Sequence, residues 1–247
     1  MSSIHTAMIL AAGMGSRLKP LTDDTPKPLI NVGGQPVILR ALQAIKAAGI
    51  QRVVINTHYL ARMVESTVGA NRMGLHIIFS RADTLLDTGG GVKKALPFIG
   101  DNPFLVVNSD AVWDDTHHPL LRPLIAAFDA TKHDALMAVV PTSTTKAFRP
   151  EGGDFILNTR SKKLNFPKTM APAERAKAKM VYTGLHVTHP SFIGFEPAEK
   201  FSLIRPWQAA ATQGRLHGYV YNGPWVDMGT HTGLHHAREL AVAAKSS

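Results

Sequence analysis

The sequence predicts an α/β fold, a mostly parallel sheet with helices on both faces. Three observations predict it. Short apolar runs rich in β-branched residues recur along residues 8–140, segments with apolar residues at helical spacing separate them, and Gly-rich polar stretches follow strand-like runs or open helices. Ligands of such sheets bind outside the carboxyl ends of the strands, so those polar stretches are expected to converge on one edge.

Met8 to Ala12 reads as a short buried strand ending in a Gly-rich turn. Pro36 to Ala48 carries Val37, Leu39, Leu42 and Ile45 on one helical face, with Gly49 as a C-cap. Arg52 to Asn56 (R-V-V-I-N) is a strand, Leu60 to Val68 a helix and Leu75 to Ser80 a further strand. Gly91 to Phe98 is a short helix, Phe104 to Asn108 (F-L-V-V-N) a buried strand, Pro119 to Thr131 a helix and Ala135 to Val140 a strand. After about Ser143 the pattern loosens. Glu151 to Arg175 reads as a loop-rich hairpin region, Val181 to Val187 and Gly218 to Tyr221 as strands, and His231 to Lys245 as a closing helix. With no repeat, low-complexity tract or clear linker, residues 1–247 are expected to form a single domain.

Composition narrows the function. Cys is absent, which excludes disulfides, thiolate metal sites and thiol catalysis. Hydrophobic residues at 45% and charged residues at 18% give the balance of a soluble globular protein. Lys plus Arg number 27 against 18 Asp plus Glu, a net charge of +9 that points to an anionic partner: nucleic acid, a membrane surface or a phosphorylated small molecule. The apolar run Ala7 to Ala12 is far short of the ~20 residues of a spanning helix. No basic segment and cleavage pattern marks a signal peptide, so no membrane association and a cytoplasmic location are expected.

The informative stretch is Leu10 to Gln35, L-A-A-G-M-G-S-R-L-K-P-L-T-D-D-T-P-K-P-L-I-N-V-G-G-Q. A strand runs straight into Gly13-x-Gly15, where backbone amides can approach an anion without an obstructing Cβ. Arg17 follows with a guanidinium that can clamp phosphate oxygens, and Lys27 is stiffened between Pro26 and Pro28. The dinucleotide fingerprint fails, because Leu18 stands where its last Gly belongs, and the P-loop pattern is absent. Amide cradle, Arg fork and rigid Lys suit a polyphosphate.

L-A-A-G-M-G-S-R-L with T-P-K-P-L resembles the signature of the sugar-1-phosphate nucleotidyltransferases. The resemblance continues in order through Leu86-Asp87-Thr88-Gly89-Gly90-Gly91, Val107-Asn108-Ser109-Asp110, Tyr182-Thr183-Gly184-Leu185 and Trp225-Val226-Asp227-Met228-Gly229-Thr230. It implies a Rossmann-like three-layer α/β/α sandwich, the nucleotide-diphospho-sugar transferase fold. It also implies transfer of a nucleotidyl group from a nucleoside triphosphate to a sugar-1-phosphate, with pyrophosphate released. UTP is the favoured nucleotide and N-acetylmuramate 1-phosphate the favoured acceptor. Guanylyl transfer to mannose or heptose 1-phosphate is the alternative. A catalytically inactive nucleotide- or sugar-sensing member is a further one, opposed by the intact Arg17, Lys27, Asp110 and Asp227.

The resemblance assigns roles residue by residue. Arg17 holds the β- and γ-phosphates and the departing pyrophosphate, and Lys27 the α-phosphate or the sugar phosphate. Leu10, Ala11, Ala12, Gly13 and Gly15 line the nucleotide, and Thr88 and Gly89 close its side. Asn108, Asp154, Thr183 and Gly184 face the sugar. Asp110 and Asp227 supply hard oxygen ligands for Mg²⁺. Two departures are visible: Arg81-Ala82-Asp83 stands where related chains carry a Glu, and the Glu-Lys-Pro of larger relatives is missing. His117-His118 and His231-x-x-x-His235-His236 read as solvated or N-terminal helix residues rather than metal ligands, and few aromatics (7%) accompany the basic residues, so no nucleic acid is expected as a partner.

Overall fold

The computed structural model describes residues 4–145, 152–169 and 171–246. Five strands follow the predicted pattern, β1 (Thr6–Leu10), β2 (Arg52–Thr57), β3 (His76–Arg81), β4 (Phe104–Asn108) and β6 (Ala135–Pro141), with a short unpredicted β5 (Ala111–Trp113) between the last two. Farther along the chain lie β7 (Met180–Thr188), β8 (Leu216–Val220) and β9 (Trp225–Asp227). Seven of them form one sheet in the order β8-β6-β7-β4-β1-β2-β3. β1 pairs in parallel with β2 and β4, β2 with β3, and β8 with β6, while β7 runs antiparallel to β4 and β6. The sheet is therefore mixed but mostly parallel.

Alternate residues of the buried strands feed two cores, as a period of two requires. Ala7, Ile9, Val53, Ile55, Leu105 and Val107 face one layer, built from helices α1 (Val37–Ala47), α2 (Ala61–Ala70) and, around Leu121 and Leu124, α4 (Leu121–Ala127). Met8, Val54, Phe104 and Val106 face the other, where α3 (Asp87–Ile99) and α5 (Ile204–Thr212) pack Val92, Ala95, Trp207 and Ala210. A three-layer α/β/α sandwich follows directly from this division. Among the described residues no helix is long and apolar enough to cross a membrane.

A third, smaller core positions the site. The antiparallel ribbon β5–β9 and the closing helix α6 (His231–Ser246) bury Val112, Val226, Met228, Leu234 and Ala237 with Leu18, Ile30 and Val32. The loop after β1 is thereby pinned to the ribbon.

Several element expectations are corrected. The Gly91 to Phe98 helix begins four residues earlier, at Asp87, because the Asp87 carboxylate accepts the Thr88 amide and the Gly89 and Gly90 amides donate to Phe201 O at 2.9 and 3.1 Å. The Pro119 to Thr131 helix shrinks to Leu121–Ala127. Asp115 accepts the amides of Leu120 and Leu121 at its start, and a turn around Asp129 stops it. The loop-rich region holds a small hairpin, Ile156–Leu157 with Leu164–Asn165, and a short helix Pro172–Arg175. Its first residue, 151, lies outside the described residues. The ribbon β5–β9 and α5 have no counterpart in the sequence reading.

Candidate active site

The carboxyl ends of β1 and β4 meet. Leu10 pairs with Asn108, and the Ser109 amide donates to Leu10 O at 3.2 Å. The segments Gly13 to Arg17, Thr88 to Gly91 and Asn108 to Asp110 accordingly share this rim of the sheet, as the topology requires.

Beyond β1 the chain folds back on itself. Gly15 adopts φ +66°, a left-handed conformation that suits Gly, and a Cβ there would stand 2.9 Å from Thr22 Cγ2 and 3.1 Å from Lys27 Cβ. Thr22 Oγ1 donates to Gly15 O at 3.0 Å. Gly13, by contrast, has nothing within 4 Å of where a Cβ would lie, so its backbone borders open space. Pro26 leads into a tight 3₁₀ turn, Lys27–Leu29, that aims Lys27 at the rim.

Lys27 Nζ reaches Asp110 Oδ2 at 2.7 Å, with both side chains largely buried. Asp227 joins them from β9, because Asp227 pairs with Ala111 and the Met228 amide donates to Asp110 O at 3.0 Å. The convergence has a marker at Gly229. A Cβ there would lie 2.7 Å from Arg17 Nη2, 2.9 Å from Asp227 Oδ1 and 3.4 Å from Asp110 Oδ2. Two carboxylates and two cations therefore crowd one point, although the four residues are scattered from position 17 to 227.

The carboxylates are electrostatically unequal. Burial pushes Asp110 up, but the charge and hydrogen bond of Lys27, helped by a backbone hydrogen bond and Arg17, outweigh it and hold the carboxyl below its ordinary value. Asp227 is pushed above its ordinary value, first by burial and then by the negative charge of Asp110. Asp227 Oδ1 accepts the Gly229 amide at 2.7 Å, whereas the closing helix is capped by Thr230, whose Oγ1 accepts the Gly233 amide at 3.1 Å. The carboxylate of Asp227 is thus left to the site rather than to the helix.

Two cavities flank this cluster, and both are lined by Asn108 and Asp110. One, of about 490 Å³, is bordered by Leu10, Ala12, Gly13, Lys27 and Thr88. The other, of about 420 Å³, is bordered by Arg17, Asp154, Thr183, Gly184 and Asp227, with an aromatic wall that includes Tyr182 and Trp207. Gly184, at φ +86°, makes room for Asn108, whose Cβ would lie 3.0 Å from a Gly184 Cβ.

Some predicted residues act differently from expectation. Ala11 is buried, and its amide donates to Asn56 Oδ1 at 2.8 Å, so it anchors β1 to β2 rather than lining a cavity. Gly89 is buried with its amide on Phe201 O and its α-carbon against the Phe201 ring, which makes it a packing residue of α3. Thr88 Oγ1 accepts the Leu203 amide at 3.0 Å. The Thr183 hydroxyl is spent on Ala138 O at 2.9 Å, and Thr183 O receives Trp225 Nε1 at 2.8 Å. Arg17 lines the cavity of Asp154, not that of Gly13, so its guanidinium stands beside the carboxylate pair instead of deep in the amide cradle.

Sequence reasoning missed Lys200, which borders the cavity of Gly13, and Arg175, which borders that of Asp154. It also missed the buried His186, bonded to Tyr182 Oη through Nδ1 at 2.7 Å and packed edge-on against Trp207. Periodicity could have signalled only the last, since Tyr182 and His186 lie four apart on one strand face.

Comparison with known proteins identifies the family. The family model for nucleotidyl transferases matches residues 6–149. The N-acetylmuramate α-1-phosphate uridylyltransferase of Caulobacter vibrioides is 32% identical over 90% of this chain and 91% of its own. The protein of the same name from Neisseria meningitidis serogroup B is 34% identical over 97% and 99%. A UDP-glucose pyrophosphorylase solved with UDP-glucose shares the fold at a TM-score of 0.79, with 18% identity, over 99% of this chain and 100% of that one. The chain belongs to the nucleotidyl transferase family, among its sugar-1-phosphate nucleotidyltransferases.

Proposed function

We propose that the protein transfers the uridylyl group of UTP to N-acetylmuramate 1-phosphate, forming UDP-N-acetylmuramate and pyrophosphate. One observation carries the reading: two cavities meet at Asn108 and Asp110, with Lys27, Arg17 and Asp227 gathered at the junction. The cavity of Leu10, Ala12 and Gly13 takes the nucleotide, and that of Asp154 and Gly184 takes the sugar phosphate. Relatives of that name, matched along nearly their whole length, support the choice of substrates.

A sugar-phosphate oxygen attacks the α-phosphorus of UTP, a new P–O bond forms, and the bond to the β-phosphate oxygen breaks as pyrophosphate leaves. The attacking oxygen is already ionised at neutral pH, so no side-chain nucleophile is required. What the chain must supply is positioning and charge neutralisation for two anions. Lys27 stands at the junction, where the α-phosphate meets the sugar phosphate. Arg17 approaches from the sugar side and neutralises phosphate charge there. Asn108 reaches both cavities and orients hydroxyls on either side.

Asp110 and Asp227 fit Mg²⁺. They are hard oxygen donors facing one point, and the upward shift of Asp227 by Asp110 is a repulsion that a dication relieves. When bound, Mg²⁺ neutralises phosphate charge at the reacting centre. A screen of nucleoside triphosphates against sugar phosphates, read by pyrophosphate release, tests the proposal. UTP with N-acetylmuramate 1-phosphate is expected to give the highest kcat/KM, and a clear preference for GTP with mannose 1-phosphate overturns the substrate choice.

A further inference from the structure

The cavity of Gly13 is lined by two charged side chains that the transfer step does not use, Asp87 and Lys200. Neither borders the cavity of Asp154, so both stand away from the junction at Asn108 and Asp110. Among the described residues neither forms an ion pair, with the other or with a third group. Asp87 Oδ1 accepts the Thr88 amide at 2.6 Å, and its second oxygen is left open. Leu85, 37% exposed, adds an apolar surface to the same wall.

Backbone packing fixes both charges. The Phe201 amide donates to Leu86 O at 3.2 Å, the Gly89 and Gly90 amides donate to Phe201 O, and the Leu203 amide donates to Thr88 Oγ1 at 3.0 Å. Residues 200–203 are thereby strapped to residues 86–90, and Lys200 and Asp87 leave the chain at neighbouring points of the seam. Asp87 adopts φ +62°, a left-handed conformation that Asp tolerates better than most residues with a side chain. The conformation holds a carboxylate at the rim of the cavity where the start of α3 alone would not need one.

We propose that Asp87 and Lys200 read the imide edge of uracil, with the Lys200 ammonium donating to the 4-keto oxygen and the Asp87 carboxylate accepting the N3–H. The inference rests on the reading above that this cavity takes UTP. Lys27 and Asp110 mark the reacting phosphate, and the open backbone at Gly13 lets phosphates approach, which leaves the wall of Leu85, Asp87 and Lys200 to the base. An ammonium has donors and no acceptor, and an ionised carboxylate acceptors and no donor. Uracil offers the matching order, a carbonyl oxygen beside an N–H. Cytosine offers the reverse, amino hydrogens toward the ammonium and a bare N3 lone pair toward the carboxylate. Both charges would then lose water without gaining a partner, which discriminates more strongly than the loss of one hydrogen bond.

The test measures kcat/KM for UTP and for CTP with N-acetylmuramate 1-phosphate in wild type, Lys200→Met, Lys200→Glu and Asp87→Asn. Wild type is expected to prefer UTP, and the UTP-over-CTP ratio to fall about 10- to 100-fold in Lys200→Met. Lys200→Glu, which can accept from the cytosine amino group, should lower the ratio further. Asp87→Asn keeps an oxygen for the Thr88 amide, suits the left-handed backbone and should also lower the ratio. A ratio measured within one preparation cancels the active fraction, so partial misfolding cannot imitate the effect. Equal losses with UTP and CTP in the Lys200 variants would mean that Lys200 meets phosphate rather than base, and overturn this inference alone. So would a wild type that uses CTP as well as UTP. A wild type that turns over neither pyrimidine nucleotide overturns the substrate reading and this inference together.

Discussion

Lys27 Nζ lies 2.7 Å from Asp110 Oδ2, joining the loop after β1 to the turn after β4 across 83 positions of sequence. The ion pair holds an ammonium where both cavities open, aimed and partly desolvated before any phosphate arrives. Preorganised charge of this kind contributes most when the transition state develops it. Lys27→Ala is expected to lower kcat by at least about 100-fold, the usual cost of removing one such group. Asp110→Asn should fall comparably. Pyrophosphate release under saturating substrates, with urea unfolding to verify the fold, checks both; turnover within a few-fold of wild type would remove Lys27 from the catalytic role.

Asp227 pays for its position in stability. Its folded-state pKa is raised by burial and by Asp110, so the folded chain holds the proton more tightly than the unfolded chain does. The associated stabilisation is present below the ordinary carboxyl value and lost as pH rises through the folded value. At neutral pH the ionised side chain is therefore a net cost. Asp227→Asn keeps an oxygen for the Gly229 amide and removes the charge. It should raise Tm at pH 7 by about 2–4 °C, the equivalent of about 1 kcal/mol in a chain of this size, while activity collapses. The Tm gain should close as pH falls into the carboxyl range, and Mg²⁺ should raise the Tm of wild type more than that of the variant. A lower Tm for Asp227→Asn at pH 7 contradicts the repulsion.

Legibility from sequence followed the physics of each feature. Buried strands such as Phe104–Asn108 were read to the residue because runs of β-branched and aromatic side chains have few other uses. Lys27, Asp110 and Asp227 were legible through the motifs around them, yet their contact is a property of the ribbon β5–β9. That ribbon has three residues per strand, too few for periodicity to register. The sequence places the start of α3 at Gly91, because Gly is a poor helix former and Thr88-Gly89-Gly90 carries no helical signal of its own. Tertiary packing against residues 199–201 overrode the propensity, and the same packing brought Lys200 to the cavity of Gly13 without any local signal.

Gly90 gives that packing a direct test. A Cβ at this position would collide with Glu199 O and stand 3.0 Å from Leu86 Cβ. The neighbour in the way is backbone, so it cannot rotate aside. Gly90→Ala improves helix propensity by about 1 kcal/mol, but overpacking a fitted contact costs about 1–3 kcal/mol. Net destabilisation of about 1–2 kcal/mol is expected in urea unfolding. Displacement of residues 199–201 also moves Lys200, so KM for the nucleotide should rise more than KM for the sugar phosphate. A stabilised Gly90→Ala with unchanged nucleotide KM contradicts the close approach.

Buried histidines of the sheet govern behaviour in acid. His133 packs tilted against His217 with ring centroids 4.6 Å apart, and burial, reinforced by His217, lowers its pKa to about 4. His186 is fully buried between Tyr182 and Trp207, and burial lowers it to about 3. Both imidazoles are neutral in the folded chain near pH 6, whereas the unfolded chain takes up their protons around 6.5. Stability is therefore complete above the unfolded value and is lost as pH falls from about 6.5 toward the folded values. Each site adds at most about 1.4 kcal/mol per pH unit to that slope, and His133 adds less because its ring is only half buried. His133→Gln removes one titrating group while leaving an oxygen for the Asp129 amide, which His133 Nδ1 accepts at 3.1 Å. Urea unfolding at a series of pH values between 4 and 7 should show a shallower acid limb for the variant than for wild type. Parallel limbs would mean that His133 is already protonated in the folded protein.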